Sequence, residues 1–96
     1  MNGDSKQYSW RWVTVDSQLQ IGECELLYAY LVVSAASTDT YLYNGTNATG
    51  DKVATIESAV VTGHEFKPPV PIYCNKGLYI DIGTNVTGVL VMWRAL

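Results

Sequence analysis

Residues 24–56, CELLYAYLVVSAASTDTYLYNGTNATGDKVATI, decide the fold class of this 96-residue chain. Val, Ile, Thr and Tyr dominate the apolar runs of the segment, and Asn, Gly and Asp interrupt them. β-Branched and aromatic residues favour strands, whereas residues that tolerate a positive φ favour turns. The polar centre at residues 44–51 therefore predicts a bend between two strands, and its composition requires no ligand.

Apolar runs interrupted by turn-forming residues continue along the whole chain, and helical periodicity is nearly absent. We predict one all-β domain over residues 1–96, a jelly-roll-like β-sandwich of about eight short antiparallel strands. The predicted strands are residues 9–16, 22–36, 38–43, 52–61, 63–67, 71–74, 77–82 and 86–94. Residues 1–9 form a candidate N-terminal arm.

Three further features of the sequence each predict a local structure. Pro68 and Pro69 cannot donate to a strand ladder, so they predict a crossing or a sheet edge. Residues 83–85, GTN, have the length of a three-residue hairpin loop between the last two strands. Gly88, inside the final apolar run, predicts a bulge or a close approach to the backbone.

Two of the predicted strands are apolar on both faces. A strand with one solvated face alternates apolar and polar residues, and these two do not. In residues 24–33 one face would carry Cys24, Leu26, Tyr28, Tyr30 and Val32, and the other Glu25, Leu27, Ala29, Leu31 and Val33. In the last strand one face would carry Val86, Leu90 and Met92, and the other Val89, Val91 and Trp93. Since 96 residues leave little to cover a second apolar face, we predict a homo-oligomer, specifically a trimer.

The composition of the chain limits which classes of partner we expect. The chain is 48% hydrophobic and 16% charged, against about 25% charged in average proteins. The net charge is −3 and the six basic residues are scattered, so we expect no nucleic-acid partner. Because no apolar run approaches the ~18–20 residues of a membrane helix, we expect no membrane partner either. The polar N-terminus lacks a signal-peptide pattern, which favours production in a cytoplasm.

The residues that usually carry catalysis are sparse. His64, in TGHEF, has no nucleophile-type motif near it, and Glu65 would project to the opposite face of a strand. Cys24 and Cys74 have neither the spacing of a metal site nor that of a disulfide framework. We interpret each as a small apolar residue on a strand; the sequence does not decide whether they form a disulfide. We predict no enzyme, no metal and no cofactor.

The aromatic residues allow two interpretations. Trp10 and Trp12 share one strand face with Thr14, so they could stack on sugar rings while Arg11 bonds hydroxyl groups. Alternatively they pack in a core or a subunit interface, which we favour because Trp is enriched in interfaces. The interface candidates are Trp10, Trp12, Tyr28, Tyr30, Tyr41, Tyr43 and Trp93.

The order of these motifs resembles a known group. The strand CELLYAYLVV, the hairpin YLYNGTNATG, the strand VATI and the terminal GLYIDIGTNVTGVLV are similar to small β-sandwich virion structural proteins of tailed bacteriophages, of the capsid decoration or cement type. The resemblance covers roughly residues 24–93 and leaves out residues 1–20. It implies a non-enzymatic assembly protein with no catalytic residue to carry over.

The resemblance therefore implies a virion protein that self-associates and binds the head surface, with the major capsid protein or another virion protein as partner. Its location would be the virion, assembled in the cytoplasm of the host bacterium. The alternative is a carbohydrate- or host-receptor-binding module, a head fibre or tail component, in which Trp10, Trp12 and residues 44–51 face glycan. An enzyme built around His64 is the third alternative.

Overall fold

The computed structural model describes residues 8–35, 38–58 and 63–96. These residues form nine strands: β1 Ser9–Val13, β2 Ser17–Ile21, β3 Cys24–Val33, β4 Thr38–Asn44, β5 Asp51–Ser58, β6 His64–Phe66, β7 Ile72–Cys74, β8 Gly77–Asp81 and β9 Val86–Ala95. Within these ranges nothing forms a helix long and apolar enough to cross a membrane. The all-β prediction is confirmed; the candidate arm lies almost wholly outside the described residues.

The strands form two packed antiparallel sheets. The five-stranded sheet has the order β1-β9-β3-β6, with β7 also paired to β3, and the four-stranded sheet has the order β2-β8-β4-β5. The pairs are nested along the chain: β4 with β5, β3 with β6 and β7, β2 with β8, and β1 with β9. A nested antiparallel ribbon folded over itself, so that β9 also meets β3 and β8 meets β4, is the jelly-roll topology.

Two local predictions were wrong for a tertiary reason. β2, Ser17–Ile21, was not predicted because its sequence SQLQI carries little apolar pattern; it is a strand because it pairs with β8. Residues 83–85 are not a hairpin loop, since β8 belongs to the four-stranded sheet and β9 to the five-stranded sheet. Asn85, with φ of 63°, turns the chain there, and its carbonyl accepts a 2.8 Å hydrogen bond from the Ser34 amide.

A bulge changes which residues of β3 face the core. The pairing of β3 with β9 shifts between Leu26 and Tyr28, so Leu27 is an extra residue. One extra residue exchanges the two faces of everything that follows it. The simple alternation predicted for this strand is therefore wrong beyond Leu26, and the buried positions are Cys24, Leu26, Ala29, Leu31 and Val33.

The core fills the space between the sheets. Its largest fully buried side chains come from both sheets and include Leu26, Leu31, Leu42, Leu78 and Ile80. Pro68 lies in the connection from β6 to β7, and both of these strands run along the same side of β3. Of the two alternatives predicted for the proline pair, a crossing or a sheet edge, the structure has the sheet edge.

Candidate functional site

The solvent-facing side of the five-stranded sheet carries two rows of apolar side chains. Directly opposite residues of paired strands project to the same side. Met92 pairs with Trp10 on β1 and with Tyr28 on β3, and Leu90 pairs in the same way with Trp12 and Tyr30. We call this surface the outer aromatic face; it consists of Trp10, Trp12, Tyr28, Tyr30, Leu90 and Met92.

The outer aromatic face is open to solvent in the single chain. Trp10 is 68% exposed, Trp12 is 45% exposed and Tyr30 is 37% exposed. Tyr28, Leu90 and Met92 are half-buried. Contiguous exposed apolar surface of this kind typically marks an interaction site. The prediction that β3 and β9 are apolar on both sides is thus confirmed, and the second side is a surface.

Trp12 packs against the sheet at a glycine. Its indole ring lies over Gly88 of β9, where a Cβ atom would overlap the six-membered ring. The pairing of β3 with β9 also shifts between Val32 and Val33, opposite Gly88 and Val86. Both expectations for Gly88, a bulge and a close approach, are confirmed.

Polar groups border the outer aromatic face on two sides. Beside Tyr30, Glu65 of β6 accepts a 2.9 Å hydrogen bond from the Tyr28 hydroxyl. Burial, followed by this contact with Glu65, raises the pKa of Tyr28 above 10.0. At the end of β9, Arg94 forms an ion pair with Glu25. The surface therefore has an apolar centre and a polar rim, as protein interfaces do.

The remaining predicted interface residues lie elsewhere. Trp93 is in the core, 6% exposed, and its indole N–H donates a 3.2 Å hydrogen bond to Gln20 Oε1. Tyr43 is also buried, because the pairing of β4 with β5 shifts between Leu42 and Tyr43. These two side chains have too little exposed area for a partner, so they are removed from the interface set.

Tyr41 lies on the other sheet, away from the outer aromatic face. Its hydroxyl donates a 3.2 Å hydrogen bond to Asp39 Oδ2, and the Lys52 ammonium stands 4.1 Å from its ring centroid. The contact with Asp39 is the main reason that the pKa of Tyr41 is raised above 10.0. Charged groups thus surround Tyr41, in contrast to the apolar neighbours of Trp10.

The loop at residues 44–51 is a bend with a structural role. It joins β4 to β5, which pair as a hairpin, as predicted. The Asn44 side chain donates a 2.8 Å hydrogen bond to Asn75 Oδ1 and accepts a 2.9 Å hydrogen bond from the Lys76 amide. Asn47 accepts a 2.8 Å hydrogen bond from the Thr49 amide, which shapes the exposed tip. The loop therefore ties the hairpin to the turn between β7 and β8.

His64 lies on the short edge strand β6, directly followed by Glu65. His64 pairs with Leu31 and Glu65 with Tyr30, so the two side chains project to opposite faces of β6. The buried Nε2 atom of His64 has no hydrogen-bond partner among the described residues. Within the same ranges, no three His, Cys, Asp or Glu side chains are grouped so that they could hold a metal ion.

Comparison of the chain with protein-family models, with curated proteins and with solved structures gave no match. The outer aromatic face is therefore the feature on which a functional argument can rest. The sequence singled out four of its six residues as interface candidates. Leu90 and Met92 were not singled out, although the doubly apolar pattern of β9 pointed to them.

Proposed function

We propose that this chain is a non-enzymatic structural protein that associates with further copies of itself through the outer aromatic face. We further propose that it serves as a capsid decoration or cement protein of a tailed-bacteriophage virion, trimeric and bound to the head surface. The observation that carries self-association is the solvent exposure of Trp10, Trp12 and Tyr30 on one continuous apolar surface.

The size of this surface supports a protein partner. A fully buried aromatic side chain removes ~150–250 Å² from solvent. Trp10, Trp12 and Tyr30 keep 68%, 45% and 37% of their surface exposed, so together they offer roughly 300 Å² to a partner. A stable interface buries roughly 800 Å² per partner. The three exposed aromatic residues would form the centre of such an interface, and the half-buried residues of the face and its polar rim would supply the rest of the area. Repeated contacts over a symmetric shell add avidity to a modest single interface.

The edge of the sheet supports the same proposal. β1 carries both tryptophans and, among the described strands, pairs with β9 alone. A strand with one unpaired side offers backbone N–H and C=O groups to another chain. A second copy that pairs at β1 would lie beside Trp10 and Trp12.

The virion setting rests on two supports of different weight. The first is the resemblance of residues 24–93 to small phage virion proteins. The second is the jelly-roll topology, which viral capsid proteins share with lectins and other proteins, so it supports the proposal only by analogy. The head surface is the partner that agrees with both.

Glycan binding is the second candidate, because an exposed tryptophan pair is what sugar rings stack on. Sugar sites also need polar groups that bond hydroxyls beside the aromatic rings. The residues directly opposite Trp10 and Trp12 are Met92 and Leu90, which offer none. Self-association therefore explains more of the face than glycan binding does.

Sedimentation velocity of the purified full chain tests self-association. We expect an oligomer for the natural sequence and a monomer for the double variant Trp10→Ser/Trp12→Ser. The matched control is Ile21→Ser, which removes an apolar side chain that is 75% exposed on β2, outside the face. A monomeric natural chain, or a double variant that associates as the control does, contradicts the proposal.

Two further measurements separate the head surface from a glycan. We expect the natural chain to co-sediment with purified phage heads from the same source and the double variant to lose this binding. An array of glycans is expected to give no signal above that of the double variant. Glycan binding that depends on the two tryptophans, without binding to heads, would favour the second candidate.

A further inference from the structure

The two cysteines of the chain lie directly opposite each other in the folded protein. Cys24 opens β3 and Cys74 closes β7, and the two residues are register partners in the antiparallel pair. Both side chains are 0% exposed. Their 50-residue separation gave no indication of this contact; only the pairing of β7 with β3 creates it.

The geometry of the pair meets the requirement for a disulfide. Directly opposite residues of antiparallel strands have Cα atoms about 4.5 or 5.5 Å apart, depending on the type of pair. A disulfide spans Cα separations of roughly 4.4–6.8 Å, so either type qualifies. Both cysteines are free, without a covalent bond between them.

We propose that Cys24 and Cys74 are a redox pair that closes into a cross-strand disulfide by exchange with a small disulfide such as oxidised glutathione. One cysteine attacks the small disulfide as a thiolate, forms a mixed disulfide and releases one small thiol. The second cysteine then displaces the other small thiol. In total the two protein thiols lose two electrons and two protons, and the small disulfide becomes two thiols.

Cys74 lies on the short strand β7, so Cys74 is the thiol that meets the reagent first when this strand opens. The hydrogen bond from the Cys24 thiol lowers the pKa of Cys74, although burial opposes the shift. The pKa of Cys24 is raised by its contact with Cys74 and by burial. β7 has three residues, pairs with β3 alone among the described strands and follows a proline-rich connection, so its local opening admits the reagent.

A closed disulfide would fix the corner between the two sheets. Directly after Cys74, Asn75 and Lys76 hold the Asn44 side chain, and Gly77 begins β8 of the other sheet. The disulfide would thus join β3, the corner and the β4–β5 hairpin. If the proposed virion role is correct, the pair stays reduced during folding in the cytoplasm and closes outside the cell.

The test is equilibration of the natural full chain in glutathione buffers, followed by alkylation of free thiols and mass spectrometry. We expect the oxidised chain to lose two hydrogens, to remain unalkylated and to yield a peptide that links Cys24 to Cys74. Thermal unfolding of the oxidised chain should shift upward by roughly 10 °C, because the disulfide closes a long loop. A thiol reductant should reverse both changes.

Cys24→Ala and Cys74→Ala are the matched controls, since each leaves one thiol and neither can show the upward shift. The proposal is overturned if the natural chain keeps two free thiols in oxidised glutathione. It is equally overturned if glutathione adducts or disulfide-linked dimers form instead. Repeating the test on Trp10→Ser/Trp12→Ser keeps it independent of self-association, because the disulfide must form in that variant too.

Discussion

The indole ring of Trp12 lies over Gly88 on the neighbouring strand, and no other residue at position 88 leaves room for it. Glycine in a strand ordinarily weakens the strand, because it has no side chain to pack. Here the ring of Trp12 supplies the missing cover, and Gly88 is buried as a result. The pair therefore fixes the orientation of one of the two exposed tryptophans of the outer aromatic face.

Gly88→Ala should destabilise the fold by about 1–3 kcal/mol, because the added methyl group overlaps the ring and forces it to move. Urea denaturation measures the change. In a Trp12→Ala background the same substitution should cost less, because the overlap is gone. Additive costs of the two substitutions would contradict the contact.

Asn44→Ala should destabilise the fold by about 1–3 kcal/mol, because the variant loses the hydrogen bonds to Asn75 and to the Lys76 amide. Asn47→Ala is the control, since the Asn47 side chain is exposed and its hydrogen bond to Thr49 stays within its own loop. Thermal unfolding compares the two variants. Equal losses would mean that the corner contact adds nothing.

Asp81→Asn should stabilise the fold at neutral pH by less than about 1 kcal/mol, since the carboxyl is partly exposed. Burial and the nearby Asp16 raise the pKa of Asp81 above 3.8, so the folded state binds this proton more tightly than the unfolded state. The carboxylate thus costs stability above its folded pKa, and the cost disappears as pH falls below 3.8.

Unfolding of this variant and of the natural chain at several pH values checks the prediction for Asp81. The control is Asp51→Asn, at an exposed position on β5. A gain at neutral pH that persists unchanged in acid would contradict the proposed cause.

The protein should lose stability as the pH rises above 10.0. Tyr73 donates its hydroxyl hydrogen to Glu23, and this contact raises its pKa, as Glu65 helps to do for Tyr28. Each phenol keeps its proton to a higher pH in the folded state than in the unfolded state. Its contribution to folding stability is therefore complete below pH 10.0 and is lost as the pH rises above that value.

Ultraviolet absorption of the phenolate follows this alkaline titration. Glu65→Gln should bring the pKa of Tyr28 back toward 10.0 without moving that of Tyr73. An unchanged titration in this variant would show that Glu65 does not act on Tyr28.

Local chemistry made part of the fold predictable from sequence. The β-branched and aromatic runs and the Asn-Gly bend gave the all-β class and the β4–β5 hairpin, because turns and strand preferences depend on neighbouring residues. The doubly apolar pattern of β3 and β9 likewise predicted the outer aromatic face. Alternation alone placed Trp10 and Trp12 on one face of their strand, and the pairing of β1 with β9 placed them on the outer aromatic face.

Pairing between strands that are distant in sequence decided which side chains of β3 and β9 are buried. Local sequence patterns do not contain this information. The bulge at Leu27 exchanged the faces of β3 and put Tyr28 and Tyr30 outside, and the inward face of β9 took Trp93 into the core. The contact of Cys24 with Cys74 likewise exists only because β7 pairs with β3. A shift of one residue moves every later side chain to the other face, and the choice depends on what the whole sandwich buries.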